Sequence, residues 1–171
     1  MEQNKRNQLF GAYECGDITS AEFRNAVRSM CTTACSDNEI DAIWNAMLVA
    51  IPIEKLHFLI ELRKRYKVCL LSNTNEIHWD YIVANFFEQQ GIKPETCFDY
   101  IFLSYKMKEK KPNSAIYQKA LETGNMKPEE TLFIDDLKEN CQAAAALGIQ
   151  TIHFTPGRSL PAAVCNFLTT Q

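Results

Sequence analysis

The sequence predicts an α/β protein with a doubly wound, parallel, Rossmann-like sheet and a small helical segment ahead of it. Residues 1 to about 50 carry helical periodicity only, whereas from Tyr66 onward short apolar runs alternate with helical segments. Strands that alternate with helices are typical of βαβ units, which build parallel sheets. Polar motifs also follow three of the apolar runs, at the positions where such sheets bind their ligands.

Composition restricts the classes of function. The chain has 171 residues, of which 46% are hydrophobic, so it can bury one core. Its net charge of −3 offers no basic face, and we expect no nucleic-acid partner. No apolar run approaches the ~18 residues of a membrane span, and the polar N-terminus lacks the apolar core of a signal peptide. The seven cysteines show no framework spacing, so we expect reduced thiols, a cytoplasmic location and no membrane partner.

Two capping boxes predict the helices of the first part. Thr19 with Glu22 opens one helix and Ser36 with Glu39 opens another. Helical spacing predicts that each has one inward face. These faces are Phe23, Ala26, Val27 and Met30 in the first helix, and Ile40, Ile43, Trp44, Met47 and Leu48 in the second. The pattern is expected to break over residues 11–16, and Pro52 is expected to start a third helix.

Four strands are predicted in the second part. They are Val68–Leu71, Tyr100–Leu103, Thr131–Ile134 and Ile149–Phe154. The helix after the first strand should turn Ile77, Tyr81 and Ala84 inward and end near Gly91. Pro112 is expected to open the next helix, which stops at Gly124, and Gly148 to cap an alanine-rich one.

Polar motifs follow three of these strands. Ser72-Asn73 offers a hydroxyl and backbone N–H groups, which suit an anion. Lys111-Pro112 offers a cation at a loop edge, and Asp135-Asp136 offers the oxygen ligands that Mg²⁺ prefers. Each motif also has a plain structural interpretation: Ser72 as a helix cap, Lys111 as part of a solvated basic loop, and the aspartates as charges at a helix start. Together they meet the needs of phosphate chemistry, namely hydrogen bonds, a cation and a divalent metal.

In this order the motifs resemble the haloacid dehalogenase-like (HAD) superfamily, specifically phosphatase-type members with a small helical cap. The matching stretches are 70–75, 111–117 and 132–140, and residues 10–51 are similar to the cap. The resemblance implies a partial helical cap over residues 1–51 and a Rossmannoid core over residues 52–171. It further implies Mg²⁺-dependent hydrolysis of small phosphorylated metabolites, sugar phosphates among them, through an aspartyl-phosphate.

The resemblance also assigns roles to particular residues. It implies that Ser72 and the Asn73 backbone bind the phosphoryl group and that Lys111 balances its charge, which makes Ser72 and Lys111 the catalytic candidates. It implies that Asp135 and Asp136 hold Mg²⁺. The oligomeric state stays open.

One part of the family pattern is missing from the sequence. The family carries an aspartate nucleophile on a central first strand, and no aspartate here follows an apolar run before the cap-like segment. Two explanations are open: a chain truncated at its N-terminus, or a pseudoenzyme that serves as a phosphate-binding, metal-binding or scaffold module. A phospho-receiver domain is a third class, but its acid pair follows the first strand, whereas Asp135-Asp136 comes after Ser72 and Lys111.

Overall fold

The computed structural model describes the backbone of residues 2–169 and the side chains of residues 6–169. Its strands are β1 (Cys69–Ser72), β2 (Tyr100–Leu103), β3 (Leu132–Asp135) and β4 (Gln150–His153). Its helices are α1 (Glu2–Glu14), α2 (Ser20–Arg28), α3 (Asp37–Asn45), α4 (Ile53–Arg63), α5 (Glu76–Ile82), α6 (Pro94–Cys97), α7 (Ser104–Met107), α8 (Ser114–Gly124), α9 (Lys138–Ala145) and α10 (Leu160–Thr169). A π-helical turn (Val83–Phe87) and two 3-10 turns (Glu88–Gln90 and Pro128–Glu130) complete the regular backbone.

The strands form two parallel pairs. β1 pairs with β2 in a register that runs from Cys69 opposite Tyr100 to Ser72 opposite Leu103. β3 pairs with β4, from Leu132 opposite Gln150 to Asp135 opposite His153. Within residues 2–169, no backbone ladder joins β1 to β3. The predicted parallel α/β class is therefore confirmed, with its sheet divided into two halves.

Helices cover both faces of this divided sheet. Successive strand residues point to opposite faces, and Leu70 and Leu71 accordingly pack into different clusters. Leu70 contacts a core centred on Leu56 of α4, together with buried Val68, Phe87, Cys97 and Phe98. Leu71 contacts the second core, which contains Ile116, Tyr117, Ala144 and Ile149. A sheet packed on both faces explains why its strands are apolar throughout.

The helices before β1 share a third core. Phe23 is fully buried, and its ring stacks on that of Tyr13 with centroids 4.2 Å apart. Trp44 reaches the helix after β1, where its ring lies 5.0 Å from that of His78. Both predicted capping boxes are confirmed, because the Thr19 and Ser36 side chains each accept from the N–H three residues later. The proposed division at residue 51 stays a prediction.

Four local predictions are wrong. Helix α1 continues through Gly11 to Glu14, because the break comes only at Gly16, whose φ is 67°. Helix α8 begins at Ser114 with Asn113 as its cap, so Pro112 lies before the helix and does not open it. Ile43 and Met47 are 72% and 61% exposed, since Ile43 lies on the outer face of α3 and Met47 lies beyond the end of α3 at Asn45. Met30 and Tyr81, at 47% and 36%, are also exposed rather than turned inward, and so is Ala84.

The bounds of the other predicted elements agree with the structure to within a few residues. Pro52 does precede α4, and the helical path after β1 ends at Gly91 in a left-handed conformation. Gly148 also adopts a positive φ, of 83°, after the alanine-rich helix α9. No helix in the described part of the chain has the length and apolar character that a bilayer crossing requires.

Candidate functional site

Lys111 connects the two halves of the sheet. Its Nζ donates to the carbonyl oxygen of Leu71 in β1 at 2.9 Å and to Oδ2 of Asp135 at the end of β3 at 2.7 Å. Its side chain is 10% exposed and that of Asp135 only 6% exposed. An ammonium group has three hydrogens, so these contacts leave one for an anionic ligand. The carboxyl ends of β1 and β3 therefore meet at one cation, as the order of the motifs predicted.

Asp135 accepts hydrogen bonds on both of its oxygens. Besides the bond from Lys111, its Oδ1 accepts from the Leu137 N–H and from Nδ2 of Asn140, each at 2.9 Å. Burial raises the pKa of this carboxyl, but the three hydrogen bonds, led by that of Lys111, outweigh burial and the pKa lies below its ordinary value. The aspartate is thus held ionised beside the lysine.

Asn73 fixes the loop that carries Lys111. Its Nδ2 donates to the Lys111 carbonyl at 2.9 Å, and its Oδ1 accepts from the Lys111 N–H at 2.8 Å. The Lys111–Pro112 peptide bond is cis. The Asn73 side chain therefore positions the backbone of Lys111, a role that its place in the sequence did not reveal.

Ser72 and Asp136 complete the sequence-predicted set. Ser72 is the last residue of β1, next to the Leu71 carbonyl that Lys111 binds. Asp136 follows β3 and is exposed, and its carbonyl accepts from Nε2 of His153 at 3.0 Å. The structure therefore brings Asn73, Lys111 and Asp135 into direct contact and places Ser72 and Asp136 as the adjoining strand-end residues.

Two supporting residues have no strong signal in the sequence. Ser104 is fully buried, and its hydroxyl accepts from the Thr74 N–H at 2.9 Å and lies 2.7 Å from the Glu14 carbonyl. It therefore links the loop after β1 to the end of α1. Asn140 is 2% exposed and holds Asp135 from the following helix. The signal for Asn140 in the sequence was its position at the end of the 132–140 motif, in the first turn of α9.

The other aspartates lie away from this edge. Asp99 directly precedes β2 and pairs with Arg63 at 2.9 Å, which places it at the opposite end of the strands. Asp37 and Asp41 lie in α3 and pair with Arg28 and Arg24. Asp17 follows α1 in a turn, and Asp80 lies on α5. In the described range, no three or more histidine, cysteine, aspartate or glutamate side chains are grouped around a common point.

A large groove lies below the polar edge, between β1 and β3. It has a volume of about 1040 Å³. Its walls are strand residues of both halves together with side chains of α4, α8 and α10, such as Leu59, Leu121 and Val164. Asp135 lies at its upper end. Most of the lining is apolar, so the groove is the interior of the sheet rather than a polar cleft.

Comparisons with known proteins agree with this geometry. A family model described as haloacid dehalogenase-like hydrolase matches residues 50–154. The chain is similar to D-ribitol-5-phosphate phosphatase of Bacteroides thetaiotaomicron, with 29% identity over 143 residues, which cover 84% of this chain and 69% of that protein. The matched family segment contains all the predicted site residues.

Solved structures show the same fold. A HAD-family enzyme of Bacteroides thetaiotaomicron, crystallised with magnesium and inorganic phosphate, matches with a TM-score of 0.88 and 43% identity over 91% of this chain and 78% of that one. A HAD-like family hydrolase of Porphyromonas gingivalis matches with a TM-score of 0.88 and 31% identity, over 95% and 80% of the two chains. The family resemblance is thereby confirmed, and the chain belongs to the haloacid dehalogenase-like hydrolase family.

Proposed function

We propose that this chain carries the phosphate-binding edge of a Mg²⁺-dependent phosphatase that acts on small phosphate monoesters, sugar and polyol phosphates among them. The observation that carries the proposal is the buried contact of Lys111 with Asp135 at the carboxyl ends of β1 and β3. A cation and a carboxylate at that position suit a ligand that is itself anionic and metal-bound. Support also comes from the D-ribitol-5-phosphate phosphatase to which the chain is similar.

The proposed roles follow from position. The Ser72 hydroxyl and the Asn73 N–H would donate to phosphoryl oxygens, and the remaining hydrogen of Lys111 would bind the same group. Asn73 would act mainly by positioning Lys111, through its two bonds to the lysine backbone. Because the donors are fixed before the phosphate arrives, they would stabilise charge in the transition state without reorganising.

Asp135 and Asp136 are the proposed protein ligands of Mg²⁺. Both offer hard oxygen donors at the end of β3, and Asp135 is ionised at neutral pH because its pKa is lowered. A magnesium ion bound there would neutralise the negative charge that develops on a transferring phosphoryl group. Two carboxylates fit Mg²⁺, which keeps several waters and uses few protein ligands.

An aspartyl-phosphate mechanism needs one more carboxylate. In that reaction an aspartate oxygen attacks phosphorus, the alcohol leaves and takes a proton, and water then hydrolyses the acyl phosphate to release phosphate and regenerate the aspartate. None of Asp17, Asp80 and Asp99 contacts Lys111 in the described structure. A carboxylate at the upper end of the groove between β1 and β3 would lie beside Lys111 and Asp135, where phosphorus would be bound.

The helices before β1 would act as a partial cap. They are tied to the core by the Lys110–Glu14 ion pair at 3.0 Å and by the contact between Trp44 and His78. Such a segment above a strand edge would exclude water and select the alcohol part of the substrate. This role rests on the proposed division at residue 51.

The test combines binding and turnover on the 171-residue protein. Calorimetric titration with MgCl₂ should give a saturable signal that Asp135→Asn abolishes, whereas Asp41→Asn, which removes a carboxylate on α3, should leave it unchanged. Phosphate release is then measured from ribitol 5-phosphate and a panel of sugar phosphates, with and without magnesium. Magnesium-dependent release supports the phosphatase proposal, and the absence of both magnesium binding and release overturns it.

A second candidate function is a non-catalytic phosphate- or metal-binding module. The observation that favours it is that no aspartate of the described residues occupies the nucleophile position. It predicts that inorganic phosphate and Mg²⁺ bind while the panel of esters stays intact. Saturable binding without turnover would therefore select this candidate over the enzyme.

A further inference from the structure

Two cysteines lie in the turn between helices α2 and α3. Helix α2 ends at Arg28 and α3 begins at Asp37, and Cys31 and Cys35 lie between them. Both are free thiols; Cys31 is exposed and Cys35 is half-buried. The turn therefore presents two thiols that small molecules in solution can reach.

Arg28 holds both ends of this turn. Its backbone carbonyl accepts from the Cys31 N–H at 3.1 Å, and its Nε donates to the Cys35 carbonyl at 2.9 Å. Its guanidinium is fixed in turn by Oδ1 of Asn25, at 2.6 Å, and by the Asp37 carboxylate. A fully extended chain would separate the Cα atoms of the two cysteines by about 13 Å, whereas here both cysteines contact one residue. The turn is therefore folded back on itself.

The two thiols also contact each other. The Cys31 thiol shares a side-chain hydrogen bond with that of Cys35, and this bond is the main cause of a raised pKa at Cys31, which the charge of Arg28 counteracts. The Sγ of Cys31 also donates to the Val27 carbonyl at 3.4 Å. The Sγ of Cys35 donates to the Thr33 carbonyl at 3.5 Å. Because thiols are weak donors, little energy is lost when either sulfur turns from its carbonyl towards the other sulfur.

A bond between these sulfurs would close a ring that contains no residue of a helix. The ring spans residues 31–35, which lie wholly between the last residue of α2 and the first of α3. Ser36, which caps α3, lies outside the ring and donates to the Glu39 carboxylate at 2.7 Å. A folded-back turn of this length can supply the Cα separation below about 7 Å that a disulfide requires. Closure of the ring therefore needs movement of the turn only.

We propose that Cys31 and Cys35 form a redox-sensitive pair, which low-molecular-weight disulfides such as oxidised glutathione convert to a reversible intramolecular disulfide. The thiolate of one cysteine attacks the S–S bond of the reagent, forms a mixed disulfide and releases a thiolate, which takes up a proton. The thiolate of the other cysteine then attacks the protein sulfur of the mixed disulfide and releases the second thiol. The protein loses two electrons and two protons, and the reagent gains both. Exposed disulfides of this kind are labile, so thiols reverse the step.

The test treats the 171-residue protein with excess oxidised glutathione until equilibrium, followed by acid quenching, alkylation of the remaining thiols, digestion with trypsin and mass spectrometry. Residues 29–55 form one tryptic peptide, which contains both cysteines of the pair and no other cysteine. This peptide should be lighter by two hydrogen atoms and carry no alkyl group. An attached glutathione, two alkylated thiols, or a disulfide between two protein molecules would each overturn the proposal.

Two controls separate the pair from an ordinary exposed thiol. Cys165 is exposed and is the one cysteine of the tryptic peptide of residues 159–171, which should carry an attached glutathione. Cys31→Ser keeps Cys35 but removes its partner, so its peptide of residues 29–55 should also carry one glutathione. If this variant and the unchanged protein give the same product at Cys35, the ring does not form and the proposal fails.

The contribution of the fold is measured separately. The equilibrium constant between the pair and glutathione is determined in the folded protein and again in concentrated urea. Because the folded turn holds the two thiols in contact, the constant for ring formation should be larger in the folded protein by about tenfold or more, which for a two-electron couple corresponds to about 30 mV. An equal or smaller constant in the folded protein would show that the turn does not favour the ring and would overturn the proposal.

This proposal does not depend on phosphatase chemistry. The pair lies in the helical segment before β1, and the mass measurement needs neither magnesium nor a phosphate ester. If the ring forms in a protein that neither binds magnesium nor releases phosphate, the redox pair stands and the proposed enzyme function fails. If phosphate is released but the ring does not form, the enzyme function stands and the redox pair fails.

Discussion

The polar edge of the sheet and the groove below it differ in how complete they are. At the edge, Lys111, Asp135 and Asn73 contact one another, and both oxygens of Asp135 accept hydrogen bonds. In the groove, two strands face each other across about 1040 Å³ with no strand between them among the described residues. The side chains of the edge contact one another directly, whereas no described strand lies between β1 and β3 in the groove. A fully hydrogen-bonded set of polar side chains can thus lie above a gap between the described strands.

This difference shows which parts of the site depend on the centre of the sheet. Asn73 holds Lys111 through its backbone, and Asn140 holds Asp135 from the next helix. These bonds connect loops, and among the edge contacts described above only the bond from Lys111 to the Leu71 carbonyl uses a backbone group of a strand on its groove side. We therefore expect the edge to keep its geometry whether or not the groove is filled, and the following changes test that separation.

Removing the lysine should have the largest effect. Lys111→Met leaves the buried Asp135 carboxylate without its cation, and loss of one partner of a buried pair costs about 3–5 kcal/mol. The free energy of unfolding in urea, followed by circular dichroism, measures this loss. Lys119→Met is the control, because its pair with Glu109 is 3.3 Å long and partly exposed and is worth less than about 1 kcal/mol. Equal losses of unfolding free energy in the two variants would show that Lys111 and Asp135 do not act as a buried ion pair.

Shortening an apolar side chain should lower the free energy of unfolding more in the filled core than in the open groove. Ile116→Ala removes a fully buried side chain and should cost about 2–5 kcal/mol, which includes the cavity it leaves. Ile134→Ala, at a half-buried side chain that lines the groove, should cost about 1–2 kcal/mol, because it borders open space already. Urea unfolding measures both. Comparable losses would mean that the groove is packed in solution.

Removing the Asn73 side chain should have a smaller effect than removing that of Lys111 or Ile116. Asn73→Ala leaves the N–H and C=O of Lys111 without their side-chain partners, which should cost about 1–3 kcal/mol. Asn85→Ala is the control, since its bonds lie on the surface of one helix and surface changes stay within about 0.5 kcal/mol. Thermal unfolding compares the two. A neutral Asn73 variant would mean that the loop holds Lys111 by other contacts.

The smallest expected effect is a pH dependence of the free energy of unfolding that comes from His78. It tests whether hydrogen-bonded polar groups also connect the core to the helices before β1. His78 donates from Nε2 to the Trp44 carbonyl at 3.1 Å, and its Nδ1 lies 3.2 Å from the Asn75 amide. Burial lowers the pKa of His78 by more than the bond to Trp44 raises it. The unfolded chain, with a histidine pKa of about 6.5, therefore binds the proton more readily than the folded chain.

The direction of the pH effect follows from the lower pKa of His78 in the folded chain than in the unfolded chain. The stability that neutral His78 contributes is complete above pH ~6.5 and is lost as the pH falls through that value towards the lower pKa of the folded protein. Urea unfolding at a series of pH values should show this loss in the unchanged protein and in His57→Gln, at an exposed histidine. His78→Gln should lack this contribution. An identical pH profile in all three proteins would contradict the assignment.

Much of the fold could be predicted from local signals. Tyr100–Leu103 is predicted with its observed bounds, and the capping boxes at Thr19 and Ser36 are confirmed, because strand ends and helix caps depend on residues a few positions apart. The order of the polar motifs also predicted that Lys111 and Asp135 meet. Parallel strands end at the same edge, so contacts between their loops follow from topology alone.

The rest depends on contacts between distant residues. The spacing of Ile43 fits an inward helical face, but Ile43 lies on the outer side of α3, because periodicity does not show which part of an apolar face meets a neighbouring helix. The role of Asn73 depends on a loop 38 residues away, and that of Ser104 on the end of α1. The roles of Ser72 and Asp136 in binding stay predictions, since they depend on a ligand.

The enclosed position of the groove has a consequence for colloidal behaviour. Unpaired strand edges commonly template aggregation when they lie at the rim of a sheet, where other molecules can add to them. Here the open edges of β1 and β3 face each other, with helices α4, α8 and α10 around them. A neighbouring molecule that approaches the groove therefore meets these helices. Enclosure of this kind disfavours fibril growth by addition of strands from other molecules.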